Sequence, residues 1–191
     1  MPSSTYKNHE LVLEEVMKQQ PKTILDVGIG FGKWAFLARE YLESWKDRVF
    51  PYQWEVKIDG IEIFEPYVEQ LPWQQVLYNE IYLGDASQII KKLGNYDLVI
   101  AGDVVEHLPK EKGIELIKDC VNRSKCAVFS IPTGNWMNNV TVAGNEAEKH
   151  QAIWNNLDFV EIDQQLPNHV LELHEWQVGN RTGSVVVWKR K

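Results

Sequence analysis

Apolar positions along the chain fall into short continuous runs separated by longer amphipathic stretches. Val12, Leu13, Val16 and Met17 form one stripe of a helix expected from about His9 to Gln19, which Pro21 stops. Thr23 to Val27 is a short run of the kind shown by a parallel strand covered on both faces. Trp34, Ala35, Leu37, Ala38, Tyr41 and Leu42 then recur at helical spacing. The alternation continues with strands at Val56 to Ile61, Ile81 to Leu83, Tyr96 to Ala101 and Ala127 to Ile131. Between them lie helices that start near Pro66, run from Ser87 to Leu93, and follow Pro109 with Ile114, Ile117 and Val121 on one face. This order predicts an α/β fold, a doubly wound and mostly parallel sheet with helices on both faces.

After Pro132 the pattern changes. Thr133 to Gly144 is polar and rich in Asn and Gly, a loop long enough to be functional. Its Trp136 and Met137 either line a ligand pocket or pin the loop. A helix is expected over Glu146 to Asn156, then two strand-like runs, Phe159 to Ile162 and Ser184 to Trp188, with Val170 to Val178 between them. No long helix separates the two runs, so they are expected to pair antiparallel at one edge of the sheet.

The turn after the first strand carries the clearest chemistry. Ile24-Leu25-Asp26-Val27-Gly28-Ile29-Gly30-Phe31-Gly32 removes every second side chain just ahead of a helix. Bare backbone N–H groups are expected to approach a ligand there. The spacing is G-x-G-x-G, whereas a dinucleotide fingerprint needs G-x-G-x-x-G, and Lys33 stands where its third glycine belongs. Gly32-Lys33 is followed by Trp34, so a triphosphate loop ending in G-K-[ST] is excluded as well.

Length and charge narrow the picture further. The chain has 191 residues, which suits a single domain over residues 1–191. A net charge of −7 argues against a broad electrostatic grip on nucleic acid or on an anionic membrane. Apolar runs are too short to span a bilayer, and the first residues show no secretory leader. Cys120 and Cys126 sit in helix-like and strand-like contexts, and are expected to be reduced and buried, as in a cytoplasmic protein.

In an open α/β sheet, ligands sit beyond the carboxyl ends of the strands. The residues that fall there are Asp26 with Gly28, Gly30 and Gly32, then Glu62, then Asp85 and Ala86, and finally Gly102, Asp103, Glu106 and His107. So acidic a rim would repel a pyrophosphate. It matches a ligand with a cationic amine, a sulfonium, ribose hydroxyls and an adenine amine.

These motifs resemble those of the class I S-adenosylmethionine-dependent methyltransferases. Leu25 to Gly32, Glu62, Gly84-Asp85-Ala86, and Asp97 to Leu108 occur in that family's order across roughly residues 23 to 132. The resemblance implies a Rossmann-like, seven-stranded sheet whose last strand is antiparallel. It implies S-adenosyl-L-methionine (SAM) as cofactor, S-adenosyl-L-homocysteine (SAH) as product, and a small or medium-sized methyl acceptor as partner. Asp26 and the turn Gly28 to Gly32 would hold the methionine side, and Asp103 would lie near it. Glu62 would take both ribose hydroxyls, with Asp59 as the alternative. Asp85 would take the adenine amine, with the Ala86 N–H on the ring.

A methyl carried on a sulfonium is already activated, so a base is needed only if the acceptor must lose a proton. His107 is the first candidate base, and His150 the second. His107 could equally cap or pack beside Leu108, and His150 could be a solvated helix residue. No metal is expected, since Glu106-His107 has no second histidine at helical spacing. Asp85 could also be an N-cap ahead of Ser87. Trp45, Tyr52, Trp54 and Trp73 form either a substrate wall or aromatic core. Two other functions fit the glycine turn: a non-catalytic SAM-binding protein, and a nicotinamide-dependent oxidoreductase, which Lys33 and the acidic rim disfavour.

Overall fold

The computed structural model describes residues 5–135 and 141–191. Trp136 and Met137 lie outside the described residues. One seven-stranded sheet runs through the molecule, built from β1 (Thr23–Val27), β2 (Lys57–Glu62), β3 (Glu80–Leu83), β4 (Tyr96–Gly102), β5 (Ser124–Thr133), β6 (His169–Val178) and β7 (Arg181–Arg190). Their spatial order is β3-β2-β1-β4-β5-β7-β6. The first five strands are mutually parallel, and β7 runs antiparallel to both β5 and β6.

The period-two alternation of the strands splits the core into two layers. Leu25, Val99, Ala101, Ala127, Phe129, Val186 and Trp188 face one side. There they meet Leu116, Ile117 and Cys120 of α6 (Lys110–Asn122) and Phe159 and Ile162 of α7 (Asn156–Asp163). Ile24, Ile58, Leu98, Ile100, Val128, Val185 and Val187 face the other. Covering them are Val12 and Val16 of α1 (His9–Gln19), and Trp34, Ala35, Ala38 and Leu42 of α2 (Lys33–Leu42). Smaller helices α3 (Glu65–Gln70), α4 (Gln74–Leu77) and α5 (Ala86–Ile89) complete the β2-to-β4 connections. Both cysteines are buried and free. Among the described residues no helix is long and apolar enough to cross a membrane.

The C-terminal third departs from the sequence reading. The expected helix at Glu146 to Asn156 is a single 3-10 turn, Glu146–Glu148, followed by extended chain. The expected strand at Phe159 to Ile162 is instead inside α7. Asn155 starts that helix: its side chain accepts the N–H groups of Leu157 and Asp158, while Asp158 accepts the Asn155 N–H. This reciprocal cap turns Phe159 and Ile162, three residues apart, onto one buried face. The edge strand that pairs antiparallel with β7 is therefore β6, which contains the Val170 to Val178 run.

The four aromatic residues Trp45, Tyr52, Trp54 and Trp73 also differ from both readings, substrate wall and aromatic core. Trp45 and Tyr52 are exposed, Trp73 lies at the surface over Phe31, and Trp54 stacks on Arg39.

Candidate active site

β1 runs outward to β2 and β3 on one side, and β4 leads to β5 on the other, so the sheet's order reverses between β1 and β4. A cleft lies across the carboxyl ends of these strands, at the place where such sheets bind ligands. Its lining includes Gly28, Ile29, Gly30, Lys33 and Trp34 after β1, Glu62 at the end of β2, Gly84, Asp85 and Ala86 after β3, and Gly102, Asp103 and Val104 after β4.

The glycine turn is left-handed at Gly28, Gly30 and Gly32, with φ of 73°, 49° and 86°. A Cβ on Gly28 would lie 2.5 Å from the Val104 Cγ2, so a bare backbone is required there on two counts. The expected free donors are not found. Gly28 donates to the Ile61 carbonyl at 2.9 Å, Gly30 to the Glu62 Oε2 at 2.9 Å, and Gly32 to the Ile29 carbonyl at 2.7 Å. The first two bonds fasten the turn to β2, and the third closes the turn on itself. The turn therefore offers a ligand close approach to backbone rather than an anion cradle. Gly32 lies against Leu77 and Trp73 and is not among the residues lining the cleft.

Three of the rim acids converge. Glu62 is nearly buried, and its Oε1 accepts from the Ile63 and Phe64 N–H groups at 2.9 Å each. Burial nonetheless raises its pKa. Asp85 accepts the Ser87 N–H at 2.8 Å, so it is an N-cap and a lining residue together. Asp103 adopts φ of 56°, a conformation that Asp tolerates better than most residues.

Two other acids stand elsewhere. Asp59 lies three residues before the end of β2 and points to the opposite face, where it pairs with the Tyr96 hydroxyl at 2.8 Å and Lys57 at 2.9 Å. Glu62, not Asp59, is the β2 acid at the cleft. Asp26 is fully buried beneath the turn, accepts the Tyr78 hydroxyl, and is not a lining residue. Burial pushes its pKa up to about 7, an effect that the Tyr78 bond and Lys33 only partly offset.

The sequence reading missed Lys33 as a site residue, although it had marked that position as the one displacing a third glycine. Its ammonium lies 4.1 Å from the Trp34 ring centroid. Burial lowers its pKa, opposed by Asp103 and Asp26. Trp34 packs against Gly102 in the same wall. Tyr67, Asn145, Ala147 and Glu148 were missed as well. No local motif marks them: Tyr67 comes from α3, and Asn145, Ala147 and Glu148 reach the cleft from a distant segment that the Tyr67 hydroxyl ties down at Glu148, 3.1 Å away.

The remaining end of the cleft is built on the 3-10 turn Val105–His107. Extended chain after Glu148 docks directly on it. Gln151 and Ala152 donate their N–H groups to the Glu106 carbonyl at 2.8 and 3.1 Å, and Gln151 Nε2 donates to the His107 carbonyl at 2.8 Å. The fold thereby brings together the two histidines that the sequence singled out, with ring centroids 4.8 Å apart and edge-on. His107 lines the cleft. Its pKa is lowered to about 4, first by burial and then by His150. Such a ring is neutral near pH 7 and is a weak base there.

A doubly wound sheet with this strand order and a reversed β7 is the class I methyltransferase fold. Solved structures with it include the N-terminal domain of EvdMO1 in the presence of SAH and D-fucose, at TM-score 0.67 and 15% identity over 99% of this chain and 85% of that one. Magnesium protoporphyrin IX methyltransferase (ChlM) from Synechocystis PCC 6803, with bound SAM, superposes at TM-score 0.65 and 16% identity over 97% and 80%. The methyltransferase domain of bacterial CtHen1 superposes at 0.62 and 16% over 96% and 97%. No family model and no curated protein matches the sequence.

Proposed function

We propose that this chain is a single-domain, SAM-dependent methyltransferase of the cytoplasm acting on a small or medium-sized acceptor. The observation that carries the reading is the cleft at the switch point, with an acid from each of three strand ends and a glycine turn that a Cβ would block. Those groups fit a nucleoside bearing a cationic tail, and a pyrophosphate would meet carboxylates instead of donors. In this reading Glu62 takes the ribose hydroxyls, Asp85 the adenine amine with the Ala86 N–H on the ring, and Gly28 and Gly30 flank the methionine part. Asp103 takes the amine, and Lys33 the carboxylate. Asp26 and Gly32 act as positioning residues under the turn. His107, with His150 against it, stands at the acceptor end.

When bound, the cofactor supplies a methyl group already activated by its sulfonium. The protein's share is to hold the acceptor in line and to keep water out. Trp34, Ile29 and Val104 provide apolar wall for that purpose. Calorimetry with SAM and SAH tests the first half, with one site per chain expected. Folded protein that binds neither overturns the reading. An acceptor screen read out as SAH formation then tests the second half.

A further inference from the structure

We propose that Glu106, His107 and His150 bind one divalent transition-metal ion at the acceptor end of the cleft. One ligand atom from each lies within 4.8 Å of the others, and Glu106 Oε1 is 4.0 Å from His107 Nε2. Ligands sharing one ion at bonds of about 2.1 Å sit roughly 3.0–3.5 Å apart, so small side-chain rotations close the site. The spacing argument against a metal looked for a second histidine along one helix. The second histidine comes instead from residue 150, carried by a different segment.

Glu106 supplies the independent observation. It is 1% exposed, and no other described residue donates a hydrogen bond to either carboxylate oxygen, its own backbone N–H being the one donor close by. A carboxylate so placed is strongly unfavourable unless it is protonated or met by a cation. Asp103 and Glu148 act on it through space as further negative charge. His107 presents its Nε2 to Glu106, His150 offers a ring nitrogen within the same 4.8 Å cluster, and the other His107 nitrogen, Nδ1, is buried without a hydrogen-bond partner among the described residues. The three ligands are also held in register. The carbonyls of Glu106 and His107 receive the Gln151 and Ala152 donors described above, which fixes the backbone bearing His150 to the backbone bearing the other two.

Two nitrogens and one carboxylate, with Asp103 beside them, make a mixed donor set. It suits Mn²⁺, Fe²⁺, Co²⁺ or Zn²⁺ better than Mg²⁺ or Ca²⁺, which prefer all-oxygen shells. The site does not depend on the methyl-transfer reading, which SAH calorimetry tests separately.

Co²⁺ titration of chelator-treated protein without a polyhistidine tag tests the site, read as visible absorption and as metal retained after gel filtration. One Co²⁺ per chain is expected. Dissociation should be faster and affinity roughly tenfold or more weaker in Glu106→Gln and in His150→Gln. Circular dichroism verifies that each variant is folded, and the partly exposed His150 provides a usable variant if Glu106→Gln does not fold. Absence of stoichiometric uptake by the unaltered chain overturns the proposal. Uptake unchanged in folded His150→Gln, or displacement of Co²⁺ by equimolar Mg²⁺, overturns it too.

Discussion

Tyr78 donates its hydroxyl to Asp26 at 2.6 Å, with both side chains in the interior beneath the glycine turn. Burial raises the Asp26 carboxyl from its usual 3.8 to about 7. A carboxyl that holds its proton more tightly folded than unfolded favours the fold at low pH. Its contribution is complete below about pH 4 and is lost as pH rises through about 7. Between pH 5 and pH 7 the unaltered chain should lose roughly 2–3 kcal/mol relative to Asp26→Asn, which has no such proton. Urea unfolding of both proteins at the two pH values measures the difference; equal slopes would refute it.

Gly28→Ala meets Val104 and a left-handed φ at once. It should destabilise the protein by about 1–3 kcal/mol and weaken SAH binding. Adding Val104→Ala relieves the contact but not the backbone strain, so the double variant should recover part of the loss. Thermal melts and calorimetry on the three proteins separate the two terms.

Glu62 and Asp59 should behave differently. Glu62→Gln sets an amide against backbone donors that the carboxylate now accepts, at a cost of about 1–3 kcal/mol, and should weaken SAH binding about tenfold. Asp59→Asn disturbs Tyr96 and Lys57 but leaves the cleft intact, so SAH affinity should stay within about twofold. A large loss of affinity in Asp59→Asn would reverse the assignment.

Asn155→Ala removes the acceptor for the Leu157 and Asp158 N–H groups. It should cost about 1 kcal/mol of stability with little effect on SAH binding, since α7 packs on the face of the sheet away from α1 and α2. Chemical denaturation at one pH suffices to measure it.

Much of this was legible in the sequence, for identifiable reasons. β1, β4 and the glycine turn are local patterns whose burial is nearly complete, so composition and position agree. The acids at Glu62, Asp85 and Asp103 were found by counting to strand ends. Asp26 looked equivalent, but strand pleat turns it below the turn, and Asp59 is turned away by the same rule. The region after Pro132 misled because Phe159, Val160 and Ile162 satisfy a strand pattern and a helix pattern equally. The deciding signal was polar, the Asn155 and Asp158 pair. The meeting of His107 with His150 was not legible, since 42 residues lie between them and bonds from Gln151 and Ala152 to the Glu106 and His107 carbonyls bring them together.

The position of β7 has a consequence for biosynthesis. It fills the gap between β5 and β6 although it follows both in the chain. While residues 181–190 remain in the ribosome, β5 presents an unpaired edge, and Val128 and Phe129 lack the neighbours that Val187 and Val186 later provide. The nascent chain thus carries a sticky, unpaired β5 edge until β7 emerges, and any chaperone that guards it must wait for this strand to slot in.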